Sequence, residues 1–210
     1  MRALVVANGD PPAASLARDL ARRADLVIAA DGGVDKALTL GLAVDAVVGD
    51  LDSASDAARG VIAADRFHHM GTPDSTDLEK SIAFAIESGA ADIDVIGAGG
   101  GRADHALANL SVLVVFRGRV RLAIHDDQFE VSLVEGESVV EAPAGTVISL
   151  VALGACTGIT TSGLRWDLQD RSLAFSPLGV HNEVARPPAR VSVRSGDLLL
   201  FRGRWVERHR

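Results

Sequence analysis

Short apolar runs that end in glycine or aspartate recur through the first half of the 210-residue chain. Most are followed by a segment in which apolar residues recur with helical spacing. Strands that alternate with helices in this way form βαβ units, and these build a parallel sheet with helices on its faces. The sequence therefore predicts an α/β fold, with an N-terminal doubly wound, mostly parallel sheet. The predicted strands are 4–7, 26–30, 46–48, 66–70 and 93–96, and the predicted helices are 13–24, 34–41, 54–65, 76–89 and 104–116.

Two acidic motifs follow neighbouring predicted strands. Gly49–Ser53 reads Gly-Asp-Leu-Asp-Ser, and Asp74–Asp77 reads Asp-Ser-Thr-Asp. In open α/β sheets, ligands bind at the carboxyl ends of the strands. Carboxylates gathered there repel one another unless a cation lies between them, and Mg²⁺ prefers such oxygen ligands together with phosphate. The motifs therefore predict a magnesium–nucleotide site.

Aspartate is also common in turns and at helix N-termini, which is the ordinary explanation for each of these residues taken singly. The helix predicted after the second motif has its own capping box, made by Thr76 and Glu79. Asp74 and Asp77 are therefore not needed as caps. The pairing of acids at two strand ends favours the metal–nucleotide hypothesis.

A glycine run at 97–101 precedes Arg102 and a predicted helix. Backbone N–H groups at such a position bind phosphate, and the planar guanidinium suits phosphate oxygens. The run is neither a dinucleotide fingerprint nor a Walker A loop, so a plain strand–helix turn explains it equally well. Asp104 and His105 fall in the first helical turn, where a surface role for His105 is as good an explanation as a ligand role. Asp31-Gly32-Gly33 is a further strand-end aspartate, ambiguous by itself.

The pattern changes near residues 117–119. Residues 120–124 and 129–133 alternate with period two on either side of Asp126 and Asp127, which predicts a hairpin. Beyond them, short apolar runs are separated by glycines, and no convincing helix is present. We expect a small all-β sandwich or barrel domain from about residue 120 onward.

The net charge of −7 argues against nucleic acid or an anionic membrane as the main partner. The single cysteine, Cys156, excludes an internal disulfide and is more typical of a small core residue than of a nucleophile. No apolar stretch approaches the ~20 residues of a membrane helix, and the N-terminal apolar run is too short for a signal peptide. We therefore expect a cytoplasmic protein.

Trp166 lies in the segment Ser162-Gly-Leu-Arg-Trp166 and is one of two tryptophans in the chain. Next to Arg165, it has the character of a stacking platform for a planar or cationic ligand. A partly buried core aromatic is the commoner explanation for such a residue. His181-Asn182-Glu183 is a polar loop segment without an evident capping role.

Together these motifs resemble the thiamine pyrophosphokinase family. They occur in the family's order and span almost the whole chain. The matching segments are Asp31–Gly33, Gly49–Ser53, Thr76–Lys80, Gly100–His105 with Asn109, Gly163–Trp166 and Asn182–Glu183.

The resemblance implies an ATP- and Mg²⁺-binding α/β domain at 1–118 and an all-β thiamine-binding domain at 119–210. It also implies a homodimer with shared active sites and transfer of the pyrophosphoryl group of ATP to the hydroxyl of thiamine, giving thiamine diphosphate and AMP. The implied metal ligands are Asp50, Asp52 and Asp77, and the implied catalytic residues are Asp77, Asp104 and Arg102. The implied ATP-binding residues are Asp31, Gly32, Asp74, Thr76, Gly100, Gly101, Arg102, His105 and Asn109. The implied thiamine-binding residues are Ser162, Leu164, Trp166, His181 and Asn182.

Two positions depart from the family pattern. Pro73 precedes the second acidic motif where Lys or Gln is frequent, and His181 stands in place of a serine. Both bear on substrate contacts and leave the metal site intact. A pyrophosphokinase acting on another alcohol, such as a pterin, and a nucleotide- or thiamine-sensing module without turnover are the alternative functions. The retained set of acidic residues argues against the sensor.

Overall fold

The computed structural model describes residues 1–71 and 74–207. Pro73, one of the two departures from the family pattern, lies outside the described residues. The chain divides into two compact units, Met1–Asp127 and Gln128–Arg210. Among the described residues, no helix has the length and apolar character needed to cross a membrane.

The described residues of the N-terminal unit, 1–71 and 74–127, contain six parallel strands. They are β1 (Arg2–Val6), β2 (Leu26–Ala30), β3 (Ala46–Gly49), β4 (Phe67–His69), β5 (Asp92–Ile96) and β6 (Arg121–His125). Their order across the sheet is β6-β5-β1-β2-β3-β4. Successive strands lie on one side of β1 as far as β4, and the chain then crosses back to β5. Such a reversal of strand order is where α/β sheets open a crevice at their carboxyl ends.

In the same described part of the chain, six α-helices connect these strands: α1 (Ala14–Ala21), α2 (Gly33–Thr39), α3 (Asp56–Val61), α4 (Asp77–Glu87), α5 (Ala103–Asn109) and α6 (Val112–Val115). The buried face of β1 to β3 packs with α1 and α2 in an aliphatic core that includes Leu4, Val34 and Val47. This arrangement confirms the predicted doubly wound sheet.

Helix α4 begins as the sequence predicts. The Thr76 hydroxyl accepts a hydrogen bond from the Glu79 N–H at 3.2 Å, and the Glu79 carboxylate accepts one from the Thr76 N–H at 2.8 Å. This reciprocal capping box satisfies two amides that the helix itself leaves unpaired. It also fixes Asp77 as the first residue of the helix.

Two of the predicted helices are not continuous. The segment 54–65 gives only α3 and a separate 3-10 turn at Ala64–Arg66, because Ile62 adopts an extended backbone that ends the helix. The segment 104–116 is divided into α5 and α6. Leu110 and Ser111 there make i to i−3 hydrogen bonds to Leu107 and Ala108, and this tighter winding interrupts the α-helical pattern.

Residues 121–125 form β6, which pairs in parallel with β5 from Asp92↔Arg121 to Ile96↔His125. The boundary between the compact units accordingly falls after Asp127, nine residues beyond the expected boundary at 118/119. The predicted strand 120–124 is therefore present as β6, and its parallel pairing with β5 places it in the N-terminal unit.

The C-terminal unit is a β-sandwich, and none of its residues up to 207 is helical. One antiparallel sheet has the order β12-β9-β14-β7, and the other has the order β11-β10-β13-β8. Ile148 and Leu198 of the first sheet and Ile159 and Val191 of the second share one buried cluster. The strands are β7 (Phe129–Leu133), β8 (Glu137–Val140), β9 (Thr146–Ala152), β10 (Cys156–Ser162), β11 (Arg171–Leu173), β12 (Asn182–Glu183), β13 (Ala189–Ser192) and β14 (Leu198–Val206).

Candidate active site

A cavity of about 460 Å³ lies at the carboxyl ends of the parallel strands in the N-terminal unit. Its walls come from the segments that follow β1, β2, β3 and β5 and from the first turns of α4 and α5. Eight of the nine residues in the predicted ATP-binding set line it: Asp31, Gly32, Thr76, Gly100, Gly101, Arg102, His105 and Asn109. Asp74, the ninth, does not.

The cavity wall also contains residues outside the predicted ATP-binding set. Asn8 and Gly9 follow β1, Ser53 is the last residue of the first acidic motif, and all three line the cavity. The turn after β1 is joined to the glycine run, because the Gly9 and Asp10 N–H groups donate to the Gly97 and Gly99 carbonyls at 2.8 Å. The position of Asn8-Gly9 directly after a predicted strand was the one signal that could have indicated this role.

Three carboxylates converge beside this cavity. One oxygen each of Asp31, Asp50 and Asp77 lies within 4.8 Å of the others. Asp52, predicted as a ligand, does not belong to this group, and its carboxylate instead accepts a hydrogen bond from the Ser53 hydroxyl at 2.8 Å. The structure therefore brings together two of the three predicted metal ligands and adds Asp31, which was assigned to the ATP-binding set.

Asp31 is the most buried member of the group, with 2% of its surface exposed. Its carboxylate accepts hydrogen bonds from the Ser53 N–H at 3.0 Å and the Ala54 N–H at 3.2 Å. Burial raises the pKa of Asp31, and the charges of Asp77 and Asp50 raise it further, although the hydrogen bonds from Ser53 oppose this. An adjacent cation would relieve both unfavourable contributions.

Gly49 allows the carboxylates to approach one another. An added Cβ there would lie 2.8 Å from Asp31 Cβ and 3.0 Å from the Asp77 carboxylate, and the backbone φ is +157°. Any larger residue would push the two acidic side chains apart. The glycine of the first acidic motif therefore has a steric role in the site.

A buried lysine partly neutralises the group. Lys80, only 5% exposed, donates from Nζ to Asp77 Oδ1 at 2.9 Å. It lies one helical turn after Asp77, so the same face of α4 carries both charges. Three ionised carboxylates and one ammonium leave a net charge of −2, which a divalent cation would balance. Carboxylate oxygens are also the donor type that Mg²⁺ prefers, so the residues present fit such an ion.

Arg102 and Asp104 pair with each other at the rim. The guanidinium donates to Asp104 through Nη2 at 2.6 Å and through Nε at 3.1 Å. This hydrogen-bonded contact lowers the pKa of Asp104 to about 2 and raises the pKa of Arg102. Both side chains are solvent-exposed, and Asp104 is not among the residues that line the cavity.

A second cavity, of about 270 Å³, lies in the C-terminal unit. Trp166, His181 and Asn182 of the predicted thiamine-binding set line it, and Ser162 and Leu164 do not. Leu164 is buried in the sandwich core, so its apolar character reflects packing. Sequence reasoning missed the rest of the wall. It consists of Arg171 and of glycine and aliphatic residues: Leu150, Leu168, Leu173, Leu178, Gly179 and Val180.

Trp166 is 56% exposed, so it is not a partly buried core aromatic, which is the commoner explanation for such a residue. The Arg165 guanidinium lies 5.0 Å from the ring centroid and occupies one face of the indole. Arg165 is itself ion-paired with the buried Glu183. The indole thus presents its remaining surface to the cavity while its neighbours hold it in place.

The parallel sheet and the cavity at its strand ends place the N-terminal unit in the class of doubly wound α/β proteins that bind ligands at this edge. A family model described as the thiamin pyrophosphokinase catalytic domain matches residues 17–124, more than half of the chain. A second model, the thiamin pyrophosphokinase vitamin B1 binding domain, matches residues 136–198. The chain belongs to the thiamin pyrophosphokinase family.

Relatives agree with this assignment. Thiamine pyrophosphokinase 3 of rice (Oryza sativa subsp. japonica) is 30% identical over 174 residues, which are 73% of this chain and 62% of the rice protein. Thiamine pyrophosphokinase of Bacillus subtilis is 27% identical over 215 residues, covering 96% of this chain and 99% of that protein. The chain thus spans less than two thirds of the rice relative and nearly all of the bacterial one.

Solved structures share the fold. The crystal structure of thiamine pyrophosphokinase from Bacillus subtilis aligns with a TM-score of 0.83 at 24% identity, covering 97% of this chain and 99% of that one. Thiamin pyrophosphokinase from Candida albicans also has a TM-score of 0.83, at 14% identity, with coverage of 98% and 89%. At these identities the likeness establishes the fold alone.

Proposed function

We propose that this protein transfers the pyrophosphoryl group of ATP to the hydroxyl of thiamine, giving thiamine diphosphate and AMP. The observation that carries the proposal is the convergence of Asp31, Asp50 and Asp77 at a glycine-lined cavity, in a chain of the thiamin pyrophosphokinase family. In the reaction, the thiamine oxygen forms a bond to the β-phosphorus of ATP. The bond from that phosphorus to the bridging oxygen on the α-phosphate breaks, and AMP leaves.

ATP occupies the first cavity in this proposal. Backbone amides of the glycine run contact the phosphates, and Asn8 and His105 offer further polar contacts from the opposite segments. The Arg102 guanidinium exchanges its Asp104 partner for phosphate oxygens, a planar contact of the same geometry. The cavity volume of about 460 Å³ is adequate for a nucleotide.

The divalent ion, which we propose to be Mg²⁺, is held by Asp31, Asp50 and Asp77. When bound, such an ion neutralises developing charge on the phosphate oxygens and orients them for in-line displacement. Lys80 fixes the Asp77 carboxylate from the buried side of α4. Asp31 is fixed by the Ser53 and Ala54 amides, so two of the three ligands are held before the ion binds.

The chain has little covalent chemistry to perform in this transfer, so positioning and charge stabilisation dominate. Of the two aspartates considered as acceptors for the thiamine hydroxyl proton, Asp104 is the poorer. Its side chain is exposed and does not line the cavity, so its carboxylate does not lie beside a bound substrate. Asp77 lines the cavity and is the better candidate.

Thiamine binds against Trp166 in the second cavity, where an aromatic ring can stack on the exposed part of the indole. Transfer requires that the two bound substrates meet. Following the family resemblance, we propose a homodimer in which the N-terminal unit of one subunit and the C-terminal unit of its partner complete each site.

The decisive experiment incubates the purified protein with thiamine, ATP and Mg²⁺ and separates the products. Thiamine diphosphate and AMP in equal amounts are expected. ADP as the nucleotide product would indicate transfer of a single phosphoryl group instead. Binding of both substrates without any AMP would favour a sensing role, and AMP formation only with a pterin alcohol would identify a different acceptor.

A further inference from the structure

Arg171 differs from most other arginines of the C-terminal unit in the partners of its guanidinium. Five of them pair with carboxylates: Arg165, Arg186, Arg190, Arg194 and Arg202. Arg171 makes no ion pair or side-chain hydrogen bond with any residue in the described part of the chain, and it lines the second cavity. An unpaired guanidinium beside a cavity is a ready partner for an anion.

The charge of the cavity supports this role. No carboxylate is among the described residues that line it, and its other polar side chains are His181 and Asn182. The side-chain amide of Asn182 is already hydrogen-bonded to the Trp166 backbone: its oxygen accepts from the N–H at 3.2 Å, and its nitrogen donates to the carbonyl at 2.8 Å. The site therefore combines an aromatic surface, an aliphatic wall and one uncompensated positive charge, with nothing to balance a cationic ligand.

Thiamine carries a positively charged thiazolium ring and no anionic group, whereas its diphosphate ester carries an anionic tail. Arg171 opposes the first and attracts the second. Ile159 pairs with Arg171 across the β10–β11 ladder, which fixes the base of the arginine side chain on a strand next to the apolar wall. A ligand with an organic ring stacked on Trp166 and a phosphate group at Arg171 would contact both the aromatic surface and the positive charge of the cavity.

We propose that Arg171 binds the phosphate groups of the phosphorylated product, so that this cavity holds thiamine diphosphate more tightly than thiamine. The inference rests on the proposed function and extends it: the enzyme would be inhibited by its product through a charge that thiamine does not use. Arg171 is then a determinant of product affinity and release, separate from the residues proposed for ATP and metal.

The test compares Arg171→Gln with Arg190→Gln, which removes the same charge from an arginine paired with Glu137 outside the cavity. Dissociation constants of thiamine, thiamine monophosphate and thiamine diphosphate are measured by calorimetry without ATP, and product inhibition is measured separately. Arg171→Gln should weaken diphosphate binding about tenfold or more and leave thiamine binding unchanged or slightly stronger. Arg171→Lys should restore part of the affinity, and Arg190→Gln should have no effect.

Several results would overturn the proposal. Equal losses for thiamine and its diphosphate, or equal losses in the Arg190→Gln control, would mean that Arg171 has no specific contact with phosphate. Normal turnover with unchanged product affinity in Arg171→Gln would reject this inference and leave the proposed function standing. Conversely, selective loss of diphosphate binding in a protein that forms no AMP would support the Arg171 site and reject the catalytic proposal. Melting temperatures of all variants exclude unfolding as a cause.

Discussion

The side-chain amide of Asn182 holds the backbone of Trp166 at two points. Its oxygen accepts from the Trp166 N–H at 3.2 Å, and its nitrogen donates to the Trp166 carbonyl at 2.8 Å. The same oxygen accepts from the Glu183 N–H at 2.9 Å. The family resemblance implies that Asn182 contacts thiamine, and Asn182 lines the cavity; we propose that it also positions the indole beside it.

Asn182→Ala should therefore raise the thiamine KM by roughly tenfold, because a displaced aromatic surface loses its alignment with the ligand. The ATP KM should change little. Lost hydrogen bonds at this half-buried position should lower the free energy of unfolding by about 1–2 kcal/mol. Steady-state kinetics and thermal melts measure both effects. Gln169→Ala, an exposed amide in the adjoining loop, is the matched control, and an equal effect there would refute the positioning role.

Trp166→Ala tests the stacking surface itself. A buried tryptophan truncated to alanine costs about 3–5 kcal/mol, but the 56% exposure of Trp166 predicts a much smaller loss. The thiamine KM should rise far more than the ATP KM, and Trp166→Phe should recover part of the affinity. A variant of normal stability and normal thiamine KM would show that the indole does not contact the substrate.

The metal group can be tested by amide substitutions of nearly constant volume. Asp31→Asn, Asp50→Asn and Asp77→Asn should each reduce kcat/KM by roughly a hundredfold or more and weaken Mg²⁺ binding in calorimetry. Asp52→Asn, which alters an aspartate outside the converging group, should have a clearly smaller effect. If Asp52→Asn abolishes Mg²⁺ binding while Asp31→Asn retains it, the ligand set predicted from the sequence is correct and the one proposed here is wrong.

The raised pKa of Asp31 predicts how Mg²⁺ stabilises the protein as pH changes. Without metal, the folded chain keeps this proton to higher pH than the unfolded chain does. The stability contributed by the protonated group is therefore complete below the ordinary aspartate pKa of about 3.9 and is lost as pH rises through the raised value. Bound Mg²⁺ should offset that loss, because it favours the ionised carboxylate.

The melting temperature gained with Mg²⁺, relative to EDTA, should accordingly grow with pH and reach its midpoint above about 3.9. Thermal melts between about pH 4 and pH 8 measure this gain. Asp31→Asn should remove the part of this pH dependence that comes from the titration of Asp31. A gain that does not vary with pH would exclude a contribution from Asp31.

The proposed sharing of each active site between two subunits predicts complementation between two inactive variants. Asp77→Asn and Trp166→Ala homodimers should each be impaired at both sites, whereas a mixed dimer would collect both lesions in one site and leave the other intact. Random exchange in equal amounts should restore roughly a quarter of wild-type sites. The comparison is with a mixture that was never allowed to exchange. No recovery in confirmed heterodimers would mean that each chain builds its own site.

Local sequence patterns determined the secondary structure of the N-terminal unit and the edge of the sheet where the cavity lies. The alternation of apolar runs with helical segments specified the parallel sheet, and the Thr76–Glu79 capping box specified where α4 begins. Strand-end glycines and acids indicated the edge that carries the cavity. These features depend on residues within a few positions of one another, where periodicity, capping and turn preferences act, so they can be read without knowing the fold.

Other features depended on which strand ends meet, and only the tertiary structure decided them. Asp31 joins Asp50 and Asp77 because β2 lies beside β3 and α4 starts at the same edge, whereas Asp52, two residues after Asp50, is directed elsewhere. The pairing of β6 with β5 and the contact between Asn182 and Trp166 are likewise absent from any local pattern. Strand order, register and the burial of individual side chains arise from packing across long sequence separations, and these select one arrangement among several that the local preferences allow.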